Sequence, residues 1–447
     1  MAIIGKGLDS DGLAIVPSGY RIKNIVLTNH KNENASIENI TTRIVINESL
    51  YTQSSTLRLT LKDSTNFIEE FPVIGQEKIK IIFDYKRLSN GENGQDEIKL
   101  ELDFFVSEYP TFGSAPSQSY TQIVTLFAVS EQVYISNQKK ISKSYTDNTA
   151  LLIEKILKQD LNLIEENFKK SEDSVSSSKG IISNQRPMDV IEWIRRQTYS
   201  ENNFSPFFLY QTVDGVYNLN SLDYLISDSN EVLNTYYDVR GFNNPVFTEN
   251  DFRQRDRRIL SVTSDLKLNK SIQSRRGAFA SRNNYLDYSN KTYTKYEYNY
   301  LNDFLYKRPS LEGKTVLSEN FVIGDDKLTD FSQAHCEYIS INSKAFEGNY
   351  NYNNMSKISR HFLNAYNALF DTITHDIRLH GNLKLNVGKK IELKFPKNID
   401  PSVGDGDIHL NKFLSGKYLI TSAIHEFEND EYYMNLRVKR DSFSVDL

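Results

Sequence analysis

Apolar and polar residues alternate with period two through most of the first third of the chain. Ile44, Ile46, Leu57, Leu59, Leu61, Ile79, Ile81, Phe83, Ile123 and Thr125 recur at every second position, alternating mostly with polar residues, the pattern of half-buried strands. One piece of this pattern is written twice. Val73-Ile74-Gly75-Gln76-Glu77-Lys78-Ile79-Lys80-Ile81 leads to Leu102–Ser107 and then Tyr120–Leu126. Val387-Gly388-Lys389-Lys390-Ile391-Glu392-Leu393 leads to Tyr418–Ser422 and then Tyr432–Val438. Each copy reads as a glycine turn, an alternating strand, a longer apolar strand and a closing strand. An antiparallel barrel or sandwich is expected, because closure hides strand edges. Gly91–Gly94 and Gly113–Pro116 punctuate the first copy as loops.

Between the copies the period changes. Leu151, Leu152, Ile156 and Leu157 predict an amphipathic helix with Thr146 or Asp147 as its N-cap. Ser171–Ser178 reads as a solvated, mobile linker. Pro187 opens a second helix at a first-turn position, with Val190, Ile191, Trp193 and Ile194 around its apolar face and Arg195 and Arg196 at its end. Asp214-Gly215 between Phe207–Gln211 and Val216–Asn220 predicts a hairpin, which is expected to belong with the C-terminal strands. Residues 1–19 read as a loosely held arm, and His361–Phe370 as a short helix.

The bulk numbers narrow the class. At 447 residues the chain exceeds one ordinary core, and 39% hydrophobic with 25% charged residues is a globular composition. No stretch approaches the roughly 20 apolar residues of a membrane span, and the start Met1–Gly7 lacks a signal-peptide pattern. The lone Cys336 excludes an internal disulfide framework, so a reducing compartment is expected. A net charge of −5 with mixed signs argues against broad nucleic-acid binding. The 27 Tyr and 25 Phe against one Trp favour a β-rich protein with contact surfaces.

Candidate chemistry is sparse. His425-Glu426 has no second His at helical spacing, so a structural strand role is expected. Asp405-Gly406-Asp407 and Asp9-Ser10-Asp11-Gly12 resemble fragments of calcium loops but lack the later bidentate Glu. The neighbours Glu69 and Glu70 diverge and cannot face each other across a glycosidic bond. Neither a phosphate-binding glycine loop nor a Gly-x-Ser-x-Gly elbow occurs. Arg253, Arg255, Arg257 and Arg258 form a basic patch, read as a solvated face balanced by Asp251 and Asp256. The tyrosines from Tyr285 to Tyr306 suit either glycan stacking or a subunit interface, and the single Trp tilts the reading to the interface. No catalytic, cofactor-binding or metal site is expected, and the protein is read as non-enzymatic.

Three local signatures resemble the central baseplate hub family of contractile-tailed phages of the T-even type. They are Ile40–Ile44 running through Glu48–Tyr51 to Leu61–Ser64, Arg186–Ile194 followed by Phe207–Gly215, and the ending Gly416–Phe427. Ser274–Gly277 and the tyrosine run add a looser likeness. The resemblance implies a β-rich α+β fold with two antiparallel β-barrel-like tube domains and an inserted helical/mixed domain. Tube domain 1 would span 20–136 after the arm at 1–19. The insertion would take 137–205 and 227–370, and the discontinuous tube domain 2 would take 206–226 and 371–447. It further implies a homotrimer whose six tube domains form a pseudo-sixfold ring in the tail baseplate of a virion assembled in the host cytoplasm. The implied partners are a central spike or tail lysozyme, expected as a separate protein, with tail tube initiators, the tape-measure protein and baseplate wedge proteins. DNA would meet the ring only in transit. The alternatives are the hub of a phage-derived extracellular injection particle, and a tail-associated polysaccharide-binding protein or hydrolase.

Overall fold

The computed structural model describes residues 7–9, 11–88, 95–108, 110–114, 121–174, 177–200, 205–238, 255–266, 269–304, 308–318, 320–341, 352–370, 372–397 and 410–445. Gly91–Gly94, Asp251, Arg253, Tyr306, Asp405–Asp407 and most of the polar loops flanking them lie outside the described residues. The first region carries β1 (Ile22–Thr28), β2 (Asn34–Ser36), β3 (Thr41–Ser49), β4 (Thr56–Asp63), β5 (Lys78–Leu88), β6 (Gln95–Val106), β7 (Thr111–Ser114) and β8 (Gln122–Val129). The middle adds β9 (Ile141–Asn148), β10 (Phe168–Lys170), β11 (Ser177–Gln185), β12 (Phe207–Gln211) and β13 (Tyr217–Ser221). Next come β14 (Val232–Tyr237), β15 (Ser261–Leu266), β16 (Ala280–Asp287), β17 (Thr292–Asn299), β18 (Val322–Ile323), β19 (Asp326–Lys327) and β20 (Cys336–Ile341). The chain closes with β21 (Ile373–His380), β22 (Lys390–Lys394), β23 (Gly416–Glu428) and β24 (Glu431–Arg440).

One 14-stranded sheet runs β15-β21-β24-β23-β3-β4-β8-β6-β5-β1-β2, with β22 and β14 branching from β23 and β7 from β8. The fold is β-rich α+β as expected, but no barrel closure is found among the described residues. The reason lies in β23. Its first residues pair with β22, whereas Ser422–Glu428 pair with β3 of the other region. The two β regions are therefore fused edge to edge. A single hydrophobic core underlies both, from Ile44, Ile46, Leu57 and Leu59 to Leu436 and Val438. The alternation reads correctly for β3, β4 and β5. In β8 the phase is reversed: Val124, Leu126 and Ala128 are buried, while Ile123 is 37% exposed.

The hairpin at Asp214-Gly215 forms, with Gly215 in the left-handed region. Its strands do not join the C-terminal ones; β13 pairs in parallel with β10 instead. Phe207, Leu209, Tyr217 and Leu219 bury in a smaller core with Leu152, Ile156, Val190 and Ile191, while Tyr210 and Val213 reach the large core. Conversely β14 and β15, expected in the insertion, pair with β22 and β21 of the second β region. Ser144–Asn148 extends as β9, so the helix Thr149–Lys155 starts later than expected. Asn148, not Thr146 or Asp147, caps it by accepting the N–H groups of Ala150 and Leu151. The expected linker is largely ordered: Ser174 is buried, and Ser177 begins β11, which pairs with β9. Pro187 opens the helix Pro187–Arg195 as expected, although Trp193 is partly exposed. The short helix expected at 361–370 runs Tyr352–Phe370.

From residue 11 the arm is held rather than loose. Ala14 and Pro17 are buried, the Ala14 N–H donates to Lys86, and Tyr432 donates its N–H to Ser18. Asp9 folds a tight turn by accepting the Asp11 and Leu13 N–H groups.

Candidate assembly interface

The written repeat is a repeat of topology. In the first β region β1, β3, β4, β5, β6 and β8 lie in the order β3-β4-β8-β6-β5-β1. In the second, β14, β15, β21, β22, β23 and β24 lie in the order β15-β21-β24-β23-β22-β14. Numbered along the chain, both read 2-3-6-5-4-1. They differ at the last strand, where β1 is antiparallel to β5 and β14 is parallel to β22. Gly75 and Gly388 open the matching strands with φ 89° and 83°, a conformation glycine adopts without the Cβ penalty.

Two residues past each glycine stands a buried charge of opposite sign. Glu77 accepts the N–H groups of Ile74, Gly75 and Gln76 at 2.7, 2.9 and 3.1 Å. Lys390 donates to the carbonyls of Ile226 and Ser227 at 3.2 and 2.8 Å. Each charge is satisfied by backbone groups, as a buried charge requires. The sequence signal for both is a charged residue at the mouth of an apolar strand.

The junction between the modules is β3 on β23, antiparallel from Ser49↔Ser422 to Arg43↔Glu428. On its buried face His425 lies between Glu48 and Tyr432, with Nε2 2.5 Å from Glu48 Oε1 and Nδ1 2.7 Å from the Tyr432 hydroxyl. Burial raises the Glu48 carboxyl pKa, while the hydrogen bond and charge of His425 and the Val387 backbone oppose that rise. His425 sits at the centre of the seam rather than at a strand end. On the outer face Arg43 pairs with Glu426 at 2.6 Å and with Glu428 at 3.3 Å. Arg437–Asp376, Lys78–Asp103 and Lys80–Glu101 continue that face at 2.8, 3.1 and 2.5 Å. At these points the outer face of the sheet sets cations beside carboxylates.

A second clasp was hidden in the expected basic patch. Asp256 is not a solvated surface counter-ion; it pairs with Arg87 from β5, both side chains are largely buried, and the Arg257 charge also acts on it. Arg87 also donates to the carbonyls of Gly381 and Pro17, so one guanidinium ties β5, the N-terminal segment and the end of β21. Nothing in the sequence links two residues so far apart.

The tyrosine run passes through β16 and β17 and the turns beside them, and its described tyrosines divide by exposure. Tyr285, Tyr298 and Tyr300 are buried, whereas Tyr288 and Tyr293 are exposed. Glu69 and Glu70 end the short helix Phe67–Glu70 at the surface. Cys336 is an exposed free thiol on β20. Among the described residues no group of three or more His, Cys, Asp or Glu could hold a metal ion, and no helix is long and apolar enough to cross a membrane.

The fold is shared with phage-type tail proteins of known structure. A tail protein from Neisseria meningitidis matches with TM-score 0.50 and 10% identity, over 95% of this chain and 99% of its own. The 43 kDa tail protein of prophage MuSo2 from Shewanella oneidensis matches with TM-score 0.53 and 12% identity, over 94% of this chain and 98% of its own. No protein-family model and no curated protein sequence matches the chain.

Proposed function

We propose that the chain is the structural hub of a contractile phage baseplate, a homotrimeric ring that adapts a sixfold tail tube to a threefold central spike. The observation that carries this reading is the duplicated strand order. Two modules of one topology in each chain give six similar units when three copies close around an axis. The fold shared with tail proteins is in keeping with it. The ring would act by assembly rather than by catalysis. One rim would meet the tube initiators, the other the spike or tail lysozyme, and the periphery the wedge proteins. Its lumen would pass the tape-measure protein and DNA. The ion pairs on the outer face of the sheet suit that passage, because they leave fewer bare Lys and Arg to grip phosphates and slow transit. Sedimentation of the purified protein tests the reading: three times the chain mass is expected, and a stable monomer that binds or cleaves glycans would overturn it.

A further inference from the structure

We infer that the open edge of β15 in one copy pairs antiparallel with the outer edge of β7 in the next, repeating between copies the β3·β23 junction found within the chain. This rests on the ring reading and gives it a specific seam.

The inference comes from carrying the internal repeat one step further. Within the chain, the second strand of module 1 (β3) lies on the fifth strand of module 2 (β23). For the ring to continue, the second strand of module 2 must find the fifth strand of another module 1. The second strand of module 2 is β15, and the large sheet ends there. Its pattern is mostly exposed, with Leu266 44% exposed, whereas Ile44 and Ile46 of its counterpart β3 are fully buried.

The fifth strand of module 1 is split. Phe105 and Val106 of β6 pair with Val129 and Ala128, and Thr111–Ser114 of β7 pair with Thr125–Gln122. In module 2 the unbroken β23 spans the matching stretch of β24. β4 covers the whole opposite edge of β8. β7 therefore occupies the place that Ile424–Phe427 occupies in β23, and no described strand pairs with its outer edge.

The register follows from the pairings. Aligning β8 with β24 and β4 with β21 matches Thr111, Phe112, Gly113 and Ser114 to Ile424, His425, Glu426 and Phe427. The same alignment matches Val262, Thr263, Ser264 and Asp265 to Ile44, Val45, Ile46 and Asn47. Transferring the intrachain register sets Thr111 opposite Asp265 of the neighbouring copy. Phe112 then faces Ser264, Gly113 faces Thr263, and Ser114 faces Val262. The positions of His425 and Glu48 pass to Phe112 and Leu266, so the seam between copies exchanges an ionisable pair for two apolar residues.

Paired cysteines test this in a Cys336→Ser background, which removes the exposed thiol. Gly113→Cys and Thr263→Cys would stand directly opposite each other, within reach of a disulfide. The oxidised double variant is expected to run as a covalent trimer on a denaturing gel, and a mixture of the two single variants as a covalent dimer. Gly113→Cys with Ser264→Cys is expected to stay uncrosslinked, since a one-residue shift turns the side chains to opposite faces. In the unaltered protein, hydrogen exchange is expected to slow at every amide of 111–114 and 262–265, rather than at alternate ones. A trimer that fails to crosslink and keeps fast exchange in both segments overturns the strand pairing and leaves the ring standing. A monomer in sedimentation overturns both.

Discussion

Replacing His425 with Leu probes the seam between the modules most sharply. Glu48 is buried, and the hydrogen bond and charge of His425 oppose the rise that burial imposes on its carboxyl pKa. Without the imidazole the carboxyl escapes burial of a bare charge by taking a proton. Keeping a carboxyl of ordinary pKa about 4.3 protonated costs about 1.36 kcal/mol per pH unit, hence up to about 3.7 kcal/mol at pH 7 and about 1 kcal/mol at pH 5. The sign follows from the raised folded pKa: the variant keeps its stability at low pH and loses it as pH rises through and above the ordinary carboxylate range. Urea denaturation followed by far-ultraviolet circular dichroism, at pH 5 and pH 7, measures the difference. His425→Leu is expected to lose more than twice as much stability at pH 7 as at pH 5. Glu48→Gln combined with His425→Leu is expected to abolish that difference. An equal loss at both pH values, or a difference that persists in the double variant, would refute the reasoning.

Arg87→Met leaves Asp256 buried without its cation and is expected to cost about 3–5 kcal/mol in the same assay, with Asp256→Leu restoring much of the loss; a cost near zero contradicts the clasp. Gly381→Ala places a methyl group inside contact distance of the rigid Tyr432 ring, and overpacking of that kind is expected to cost about 1–3 kcal/mol, read as a lowered melting temperature. Burial holds His375 down to about 4, with Arg440 adding to the effect. A depressed histidine contributes stability that is present above its unfolded value near 6.5 and lost as pH falls toward 4. The unfolding midpoint is therefore expected to drop across that window, and a proton-resonance titration of His375 that turns near 6.5 would contradict it.

The strands were legible where one face is apolar and the other polar, as in β3, β4 and β5. In β8 the run Ile123-Val124-Thr125-Leu126-Phe127-Ala128 is apolar on both faces, so its phase could not be read from residue type. The hairpin was legible because Asp214-Gly215 fixes its turn locally. Its membership was not, because the choice between β10 and the C-terminal strands is made by packing of Phe207, Leu209, Tyr217 and Leu219. The duplicated glycine turns at Gly75 and Gly388 revealed two modules, yet not their fusion. That fusion depends on β23 being long enough to serve β22 with one half and β3 with the other. The seam residues Glu48 and His425, and the clasp of Arg87 with Asp256, join parts of the chain that share no local pattern.

Electron microscopy of the purified protein tests the central claim most directly. The account predicts a ring with a central hole, built from three copies and showing six similar lobes around a threefold axis. Isolated single-copy particles, or a closed ring of any number of copies other than three, would contradict it.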